Sequence, residues 1–444
     1  MKTPIYDFVK KYSDSGVTRF HMPGHKGIGP LGFEALDITE ISGADTLYSS
    51  DGIIEESEAY ASSLFGTKKT FYSTEGSTLA IRAMLATALS NVENGERRKT
   101  VLAARGAHKA FVTAAALIDF DIEWIYPEGA HVASCNISAR DVRAALDGGK
   151  KFDAVYITSP DYLGNILPIE EISAVCRKFG VPLLVDNAHG AYLAYLMPSR
   201  HPIALGADMC CDSAHKTLPV LTGGAYLHIS ESMSEYIQRA RAMLSLFAST
   251  SPSYLILESL DLCNKYIAEG YPERLAEAVS KIASVKKKIE ACGLKLCGEE
   301  PLKIVISPRS FGYTGSQLSE YLRSRGIEVE FADGEYTVLM ATPENTDDDF
   351  SRLVQAVEEL KGKTPLSEIS PEISRATTRK MTVREAMFRA SEKVNIDSAL
   401  GRVVAVPTVS CPPAVPIAIS GEQIDERIIG LCKTYGINEI EVVK

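Results

Sequence analysis

The residue best suited to covalent chemistry in this sequence is a lysine that closely follows a hydroxyl and an imidazole. Lys216 comes after Ser213 and His215 at the end of a predicted strand, and a Gly-Gly pair then precedes another apolar run. A lysine amine in such a place can form a Schiff base with an aldehyde cofactor, while the hydroxyl and the imidazole hold its anionic group. A surface lysine in a loop is the alternative interpretation.

A carboxylate ends an apolar run 30 residues before this lysine. The run Val181–Val185 leads into Asp186, and His189 follows three residues later. A carboxylate at the end of a buried strand could pair with a protonated pyridine nitrogen and keep a cofactor ring cationic. The alternative is an aspartate that caps a helix.

A third group of residues could bind an anion. Gly76, Ser77 and Thr78 follow a short β-rich run and precede a helical pattern, so their amides and hydroxyls would lie at a helix N-terminus. Ordinary N-capping would use the same residues. His108 follows a separate apolar run and could stack on a cofactor ring, although it could equally be a polar loop residue.

The elements that must position these groups alternate between strands and helices. Apolar runs with helical stretches between them predict a doubly wound, mostly parallel α/β sheet, which collects ligands at the carboxyl ends of its strands. The predicted strands are Val101–Ala104, Ile122–Tyr126, Ala154–Thr158, Leu183–Asp186, Met209–Asp212 and Ala225–Ile229. The predicted helices between them include Leu79–Leu89, Ala107–Leu117 and Ile169–Phe179.

A smaller α+β domain is predicted after a long amphipathic helix over Pro272–Ala291. Its predicted strands and helices are Lys303–Ser307, Thr337–Ala341, Ser316–Arg323 and Asp348–Lys361. We predict four regions: an N-terminal arm over 1–45, a large cofactor-binding domain over 46–270, the small domain over 271–363 and a C-terminal subdomain over 364–444.

Length and composition exclude several classes of protein. The 444 residues suffice for two or three domains, and a net charge of −10 argues against nucleic-acid binding. No apolar run is long enough to span a membrane and the N-terminus lacks an apolar signal core, so a cytoplasmic protein is expected. The nine cysteines are scattered without CxxC spacing, which indicates reduced thiols rather than zinc ligands or disulfides. Cys210 and Cys211 would point to opposite faces of one strand.

The sequence resembles the bacterial ornithine/lysine/arginine decarboxylases, which are pyridoxal-phosphate enzymes of the aspartate aminotransferase fold type. The motifs that carry this resemblance cover nearly the whole chain. They are Arg19-Phe-His-Met-Pro-Gly-His-Lys-Gly27, Asp37-Ile-Thr-Glu40, Ser213-Ala-His-Lys-Thr-Leu-Pro219, Thr250-Ser-Pro-Ser-Tyr254, Gly401-Arg-Val403, Pro412-Pro413 and Gly421-Glu422. The chain lacks the long N-terminal regulatory wing of the inducible members and resembles the short, biosynthetic form.

This resemblance implies a role for each candidate residue. Lys216 would carry pyridoxal 5'-phosphate, Asp186 would pair with the pyridine nitrogen and His108 would stack on the ring. Lys216 or His215 would return a proton to Cα of the substrate after carbon dioxide leaves. The implied phosphate ligands are Ser77, Thr78, Ser213, His215 and, from a neighbouring subunit of a homodimer, Thr250. His189 would lie near the phenolic oxygen of the ring.

The substrate side departs from the family pattern. Asp45–Gly52 reads DTLYSSDG, so Tyr48 replaces a histidine and the usual Pro-Glu pair is missing. Glu75 precedes the anion-binding glycine, and Cys411–Pro416 lacks the usual aromatic residue and glycine. Asp45 and Glu75 are our candidates for the carboxylate that meets the far end of a basic substrate.

The expected function is decarboxylation of a basic amino acid in polyamine metabolism, with arginine favoured over lysine and ornithine by analogy with short-form members. One alternative is another enzyme of the same fold type, such as an aminotransferase, an aldolase or a different lyase. Many such aminotransferases anchor the phosphate with an arginine soon after the lysine, and no arginine occurs from Lys216 to Gln238. A non-catalytic regulatory homologue is the other alternative, which the retention of Lys216, Asp186 and His108 disfavours.

Overall fold

The computed structural model describes residues 1–90, 98–126, 134, 136–367, 377–409 and 415–444. The α-helices are α1 Pro4–Asp14, α2 Ile53–Phe65, α3 Gly76–Ala88, α4 Lys109–Ile118, α5 Ala139–Asp147, α6 Ile169–Phe179, α7 Ala214–Thr217, α8 Ile237–Phe247, α9 Tyr254–Ala268, α10 Tyr271–Ala291, α11 Gly315–Ser324, α12 Asp347–Glu358, α13 Val383–Phe388 and α14 Glu426–Thr434. The strands are β1 Lys69–Ser73, β2 Thr100–Ala104, β3 Asp121–Ile125, β4 Ala154–Thr158, β5 Leu183–Asp186, β6 Met209–Asp212, β7 Ala225–Ile229, β8 Lys295–Cys297, β9 Lys303–Ser307, β10 Phe331–Ala332, β11 Thr337–Met340, β12 Ser391–Asn395, β13 Thr408–Val409, β14 Ala418–Ile419 and β15 Glu439–Val443.

The chain forms two compact units, each assembled from separate stretches of sequence. The first unit contains 1–99, 151–157 and 169–272, and the second contains 100–150, 158–168 and 273–444. These two units are defined by compactness and do not test the four predicted regions, whose boundaries therefore stay a prediction.

The core of the first unit is a sheet whose strands follow the order β1-β7-β6-β5-β4. β5 and β6 are parallel, whereas β7 runs antiparallel to both β6 and β1. Every residue of β1, β5, β6 and β7 is buried, which explains why β5, β6 and β7 are mostly apolar. At the start of α1, the buried carboxylate of Asp261 accepts hydrogen bonds from the amides of Ile5 and Tyr6 and anchors the N-terminal helix.

The second unit combines a parallel strand pair with antiparallel sheets. β2 and β3 pair in parallel, and the small sheet follows the order β10-β11-β9-β8 with antiparallel neighbours. β12 pairs with β15 and β13 with β14, both antiparallel, and α13 packs on α4.

The structure confirms the predicted α/β fold, with its mostly parallel central sheet and a smaller C-terminal α+β portion. Four predicted strands of the central sheet and helix α6 match to the residue, and most other predicted elements of both units shift by a few residues at one or both ends. Sequence reasoning did not predict helices α1 and α2 or the antiparallel direction of β7. Within the described residues, no helix combines the length and the apolar character that crossing a bilayer requires.

Candidate active site

Three chain reversals meet at one edge of the sheet in the first unit. Asp186 ends β5 and is in register with Cys211, one residue before β6 ends. β7 begins at this same edge, because Asp212 is in register with Tyr226, and Ser73 at the end of β1 is in register with Ala225. The turns that follow β1, β5 and β6 therefore carry Ser77, His189 and Lys216 on the same side of the sheet.

The turn after β1 forms a cradle for an anion. Gly76 has a φ of +70°. Its amide donates a 2.7 Å hydrogen bond to the carbonyl of Gly223, which lies two residues before β7. Gly223 itself has a φ of +101°, and a Cβ there would lie 3.0 Å from the Thr74 carbonyl, so this crossing requires glycine. α3 begins at Gly76, which places the half-buried Ser77 and Thr78 in its first turn, where free amides and the helix dipole favour an anion.

The turn after β6 supplies further polar groups to the same cradle. The hydroxyl of the buried Ser213 donates to the Ser77 hydroxyl over 2.8 Å, which joins two of the predicted phosphate ligands. His215 Nδ1 lies 3.0 Å from the Gly224 carbonyl, so this nitrogen carries a proton and the contact orients the ring. The structure thus brings together Ser77, Ser213 and His215 in one unit, as a phosphate site requires.

Lys216 lies in the short helix α7 with its amine directed to the turn after β5. Its Nζ is 3.1 Å from Nε2 of the buried His189. The pair can share a proton, because one partner is an amine and the other an imidazole. The two candidates that the sequence placed 27 residues apart are therefore adjacent.

Asp186 is buried and surrounded by uncharged donors. Its carboxylate accepts from the Tyr156 hydroxyl at 3.1 Å, from the Ala188 amide at 3.2 Å and from the Cys211 thiol at 3.7 Å. Burial, reinforced by Asp186 and Asp212, raises the pKa of Cys211 well above its usual value, so its sulfur remains a neutral donor. A buried carboxylate whose donors are neutral favours an added cation, and a protonated pyridine nitrogen is such a cation. The donor set of the first unit therefore fits pyridoxal phosphate.

His108 belongs to the second unit and directly precedes α4. It is the N-cap residue, and its Nδ1 accepts a hydrogen bond from the Ala110 amide over 3.2 Å. The imidazole is exposed, and its stacking role stays a prediction.

The candidates for substrate and subunit contacts have different surroundings in the first unit. Asp45 accepts hydrogen bonds from the amides of Thr46 and Asp51 with one oxygen and from those of Gly52 and Ile54 with the other. Glu75 is exposed and accepts from the Ser249 amide at 2.7 Å, one residue before the exposed Thr250. The predicted loop Cys411–Ala414 lies outside the described residues.

Sequence reasoning missed two groups of buried polar side chains, one in each unit. In the first unit, Asp212 contacts His201, His228 and Asn187, all of them buried. In the second unit, Arg105 makes two hydrogen bonds, of 2.7 and 2.9 Å, to Glu422. The position of Asp212 directly before Ser213 was a signal for the first group, whereas only the fold pairs residues 317 positions apart.

Comparison with known proteins supports a family assignment over most of the chain. A model of the major domain of Orn/Lys/Arg decarboxylases matches residues 3–308, and a model of their C-terminal domain matches residues 366–434. An arginine decarboxylase of Bacillus subtilis (strain 168) is 30% identical, and the alignment covers 96% of this chain and 92% of that protein. An arginine decarboxylase of Halalkalibacterium halodurans is 29% identical over 96% of this chain and 91% of its own.

Solved structures share the fold at lower sequence identity. The Francisella novicida lysine decarboxylase LdcF superposes with a TM-score of 0.82 at 15% identity, covering 100% of this chain and 81% of that one. The constitutive lysine decarboxylase of E. coli gives 0.80 at 16% identity, with 100% and 82% covered. A cysteine desulfurase from Thermococcus onnurineus NA1 gives 0.57 at 15% identity, covering 81% and 91%, so the fold alone does not select the chemistry.

Together, the family models and these relatives confirm the predicted resemblance, the aspartate aminotransferase fold type and, with it, pyridoxal phosphate as the cofactor. The chain belongs to the Orn/Lys/Arg decarboxylase family.

Proposed function

We propose that this chain is a pyridoxal-phosphate-dependent decarboxylase of a basic amino acid, with arginine as the favoured substrate. The observation that carries the proposal is the meeting of Lys216, Asp186 and the Ser77–Ser213 pair at one sheet edge. The relatives named arginine decarboxylase support the choice of arginine over lysine and ornithine.

Each polar group at this edge has a distinct task in holding the cofactor. Ser77, Thr78, Ser213 and His215 would hold the phosphate, and Lys216 would bind the aldehyde carbon. Asp186 would hold the proton on the pyridine nitrogen, since its three neutral donors keep the carboxylate oriented without neutralising its charge. When bound, pyridoxal phosphate supplies an electron sink that accepts the electron pair of the breaking Cα–carboxylate bond.

Proton return to the substrate is the task of the Lys216–His189 pair. After carbon dioxide leaves, Cα requires a proton, and a lysine ammonium near the ring can donate it as a general acid. His189 Nε2, at 3.1 Å from the lysine nitrogen, can pass a proton to that amine and hold it in place. His215 remains a second candidate, but the hydrogen bond of its Nδ1 to Gly224 indicates a role in the phosphate cradle.

Other chemistries of this fold type fit the chain less well. The absence of arginine from Lys216 to Gln238 disfavours an aminotransferase, and a regulatory homologue would have no need to retain Lys216 and Asp186 together. Release of carbon dioxide separates the proposal from both alternatives.

Covalent labelling tests the assignment of Lys216. Borohydride reduction of the yellow holoenzyme should fix the cofactor to the peptide that contains Lys216, as mass spectrometry of a digest would show. The Lys216→Arg variant should yield no labelled peptide, whereas a Lys178→Arg control, at an exposed position of α6, should label like wild type. Label on another lysine in wild type would contradict the assignment.

Replacement of the buried carboxylate tests the electron-sink role. Asp186→Asn keeps the shape but removes the charge that holds the pyridine proton, so we expect a loss of roughly 100-fold in kcat, by analogy with other electrostatic groups. Cofactor affinity should fall too, measured by the fluorescence or absorbance of bound cofactor. Asp208→Asn, which removes a carboxylate from the opposite end of β6, is the matched control. Near-normal decarboxylation by Asp186→Asn would rule out the role.

Glu75 is the better candidate for the far end of the substrate. Both carboxylate oxygens of Asp45 accept hydrogen bonds from backbone amides, so this side chain stabilises its own loop. Glu75 accepts a hydrogen bond from a single backbone amide and is exposed. Burial raises the pKa of Tyr48, and the charges of Glu58 and Glu75 add to that effect. Tyr48 and Glu75, two departures from the family pattern, therefore interact electrostatically.

A carbon-dioxide assay with arginine, lysine and ornithine tests the substrate class. We expect turnover of arginine, and Glu75→Gln should raise KM about tenfold or more, since a hydrogen bond to a charged group is worth roughly 1.5–3 kcal/mol. Asp45→Asn is the contrasting variant and should lower thermal stability while leaving KM nearly unchanged. Wild-type KM in Glu75→Gln would contradict this assignment, and no release of carbon dioxide from any basic amino acid would contradict the function.

We also propose a homodimer with shared active sites. The N-terminal motif and the four residues after it leave four large apolar side chains mostly exposed: Phe20 at 94%, Met22 at 69%, Ile28 at 82% and Leu31 at 68%. Apolar groups clustered in this way are typical of an interface, and a second copy of the chain would cover them. Thr250 would then reach the phosphate of the partner.

Sedimentation at the assay concentration should show a dimer. The double variant Phe20→Ser/Ile28→Ser should shift the protein toward monomer and reduce activity in parallel, whereas Leu400→Ser, at an exposed apolar residue of the second unit, should not. A fully active monomer would refute the shared site.

A cytoplasmic location completes the proposal. The seven cysteines among the described residues are all free thiols, and five of them are buried. Free buried thiols are typical of a reducing compartment.

A further inference from the structure

A cluster of four potential metal ligands lies inside the first unit, beside the cofactor turn. Its members are His201, Cys210, Asp212 and His228, all buried, and their ligand atoms lie within 4.8 Å of one another. Cys210 and Asp212 project from the same face of β6, and Cys210 is in register with His228 on β7. His201 reaches the group from the loop before β6.

Three of the six separations between ligand atoms in this cluster are close to the edges of a coordination tetrahedron. Zinc bonds of about 2.0–2.1 Å to nitrogen and oxygen and about 2.3 Å to sulfur imply N···O edges of about 3.3 Å and N···S edges of about 3.6 Å. Both imidazole Nε2 atoms lie 3.1 Å from Asp212 Oδ2, and Cys210 Sγ lies 3.7 Å from His201 Nε2. The two imidazole centroids are 5.2 Å apart, close to the roughly 5.2 Å that two tetrahedral histidine ligands would give.

The remaining polar atoms form an outer layer like that of a metal site. Thr70 Oγ1 lies 2.9 Å from His228 Nδ1, and Asn187 Nδ2 donates to Asp212 Oδ1 over 2.7 Å. Such contacts fix which imidazole nitrogen faces the centre and orient the carboxylate. His201 Nδ1 has no hydrogen-bond partner within the described part of the chain, so the orientation of this ring depends on its Nε2 contacts.

The charges that these four side chains can carry suit a divalent cation, and Asp212 itself is 0% exposed. A divalent cation with one thiolate, one carboxylate and two neutral imidazoles sums to zero. A mixed nitrogen, sulfur and oxygen set in tetrahedral arrangement is a ligand set that zinc favours.

We propose that His201, Cys210, Asp212 and His228 bind one structural zinc ion. The four protein ligands leave no open position, so the ion would join β6, β7 and the preceding loop rather than activate water. Because Asp212 directly precedes Ser213, the ion would stiffen the turn that carries Lys216. The ligands come from three segments that only the fold brings together, so sequence spacing did not show which side chains meet at Asp212.

Metal analysis of the purified holoenzyme tests the proposal, whether or not the enzyme decarboxylates a basic amino acid. After removal of loosely held metal with a weak chelator, we expect about one zinc per chain. X-ray absorption should show a single sulfur ligand at about 2.3 Å with nitrogen or oxygen ligands at about 2.0 Å. Cys210→Ser should lower zinc affinity at least tenfold in competition with a chromophoric chelator, and Cys176→Ser, at a buried thiol outside the cluster, should not.

Three results would overturn the proposal. The first is wild-type protein that holds little zinc even after unfolding and refolding with excess zinc chloride, which would leave a hydrogen-bond network balanced by a proton. The second is an absorption spectrum without sulfur ligation, and the third is unchanged zinc affinity in Cys210→Ser. The wild-type measurements decide the question even if the variant fails to fold.

Discussion

The antiparallel return of β7 beside β6 is the constraint on which the candidate site depends. In a purely parallel sheet, the chain after Lys216 would leave the ligand edge through a long crossover. Here, twelve residues connect the end of β6 at Asp212 to the start of β7 at Ala225, and β7 returns antiparallel to β6. This return brings Gly223 against the turn after β1. The hydrogen bond from Gly76 to Gly223 then fixes the first turn of α3 relative to the lysine turn. The Ser77–Ser213 contact is the direct result.

The same edge must accommodate two buried carboxylates on neighbouring strands. Asp186 and Asp212 end β5 and β6, and Asn187 joins them by donating its side-chain amide to Asp212 and its backbone amide to the Cys211 carbonyl. A buried charge is costly unless it is compensated. The two aspartates have different surroundings: Asp186 has neutral donors and is open to a cationic ring, whereas Asp212 lies between two imidazoles. Burial disfavours ionisation of Asp212, but His201 and His228 outweigh it and hold the pKa of that carboxyl well below its usual range.

Sequence reasoning succeeded for features that depend on local pattern and failed where distant segments meet. Continuous apolar runs identified β4, β5, β6 and β7 to the residue, because strands that are buried on both faces need apolar side chains throughout. The same runs placed Lys216, Asp186 and Ser77 at strand ends. Strand direction was not predictable in this way, since an antiparallel β7 has the same composition as a parallel one. The partners of Asp212 and the contact between Glu75 and Ser249 depend on tertiary structure that no local spacing encodes.

The second unit also depends on a contact between residues that are distant in sequence, in this case an ion pair. Arg105 follows β2 and lies three residues before His108, and it is buried against Glu422 with its Nε donating to the Pro416 carbonyl. Its guanidinium also lies over the rings of Trp124 and Tyr126 at 4.9 and 5.7 Å. Removing one partner of such a pair typically costs about 3–5 kcal/mol, because the other charge stays buried. The C-terminal segment is therefore part of the support for the turn that begins α4, not an appendage to it. Loss of this segment would therefore disturb the backbone that presents His108.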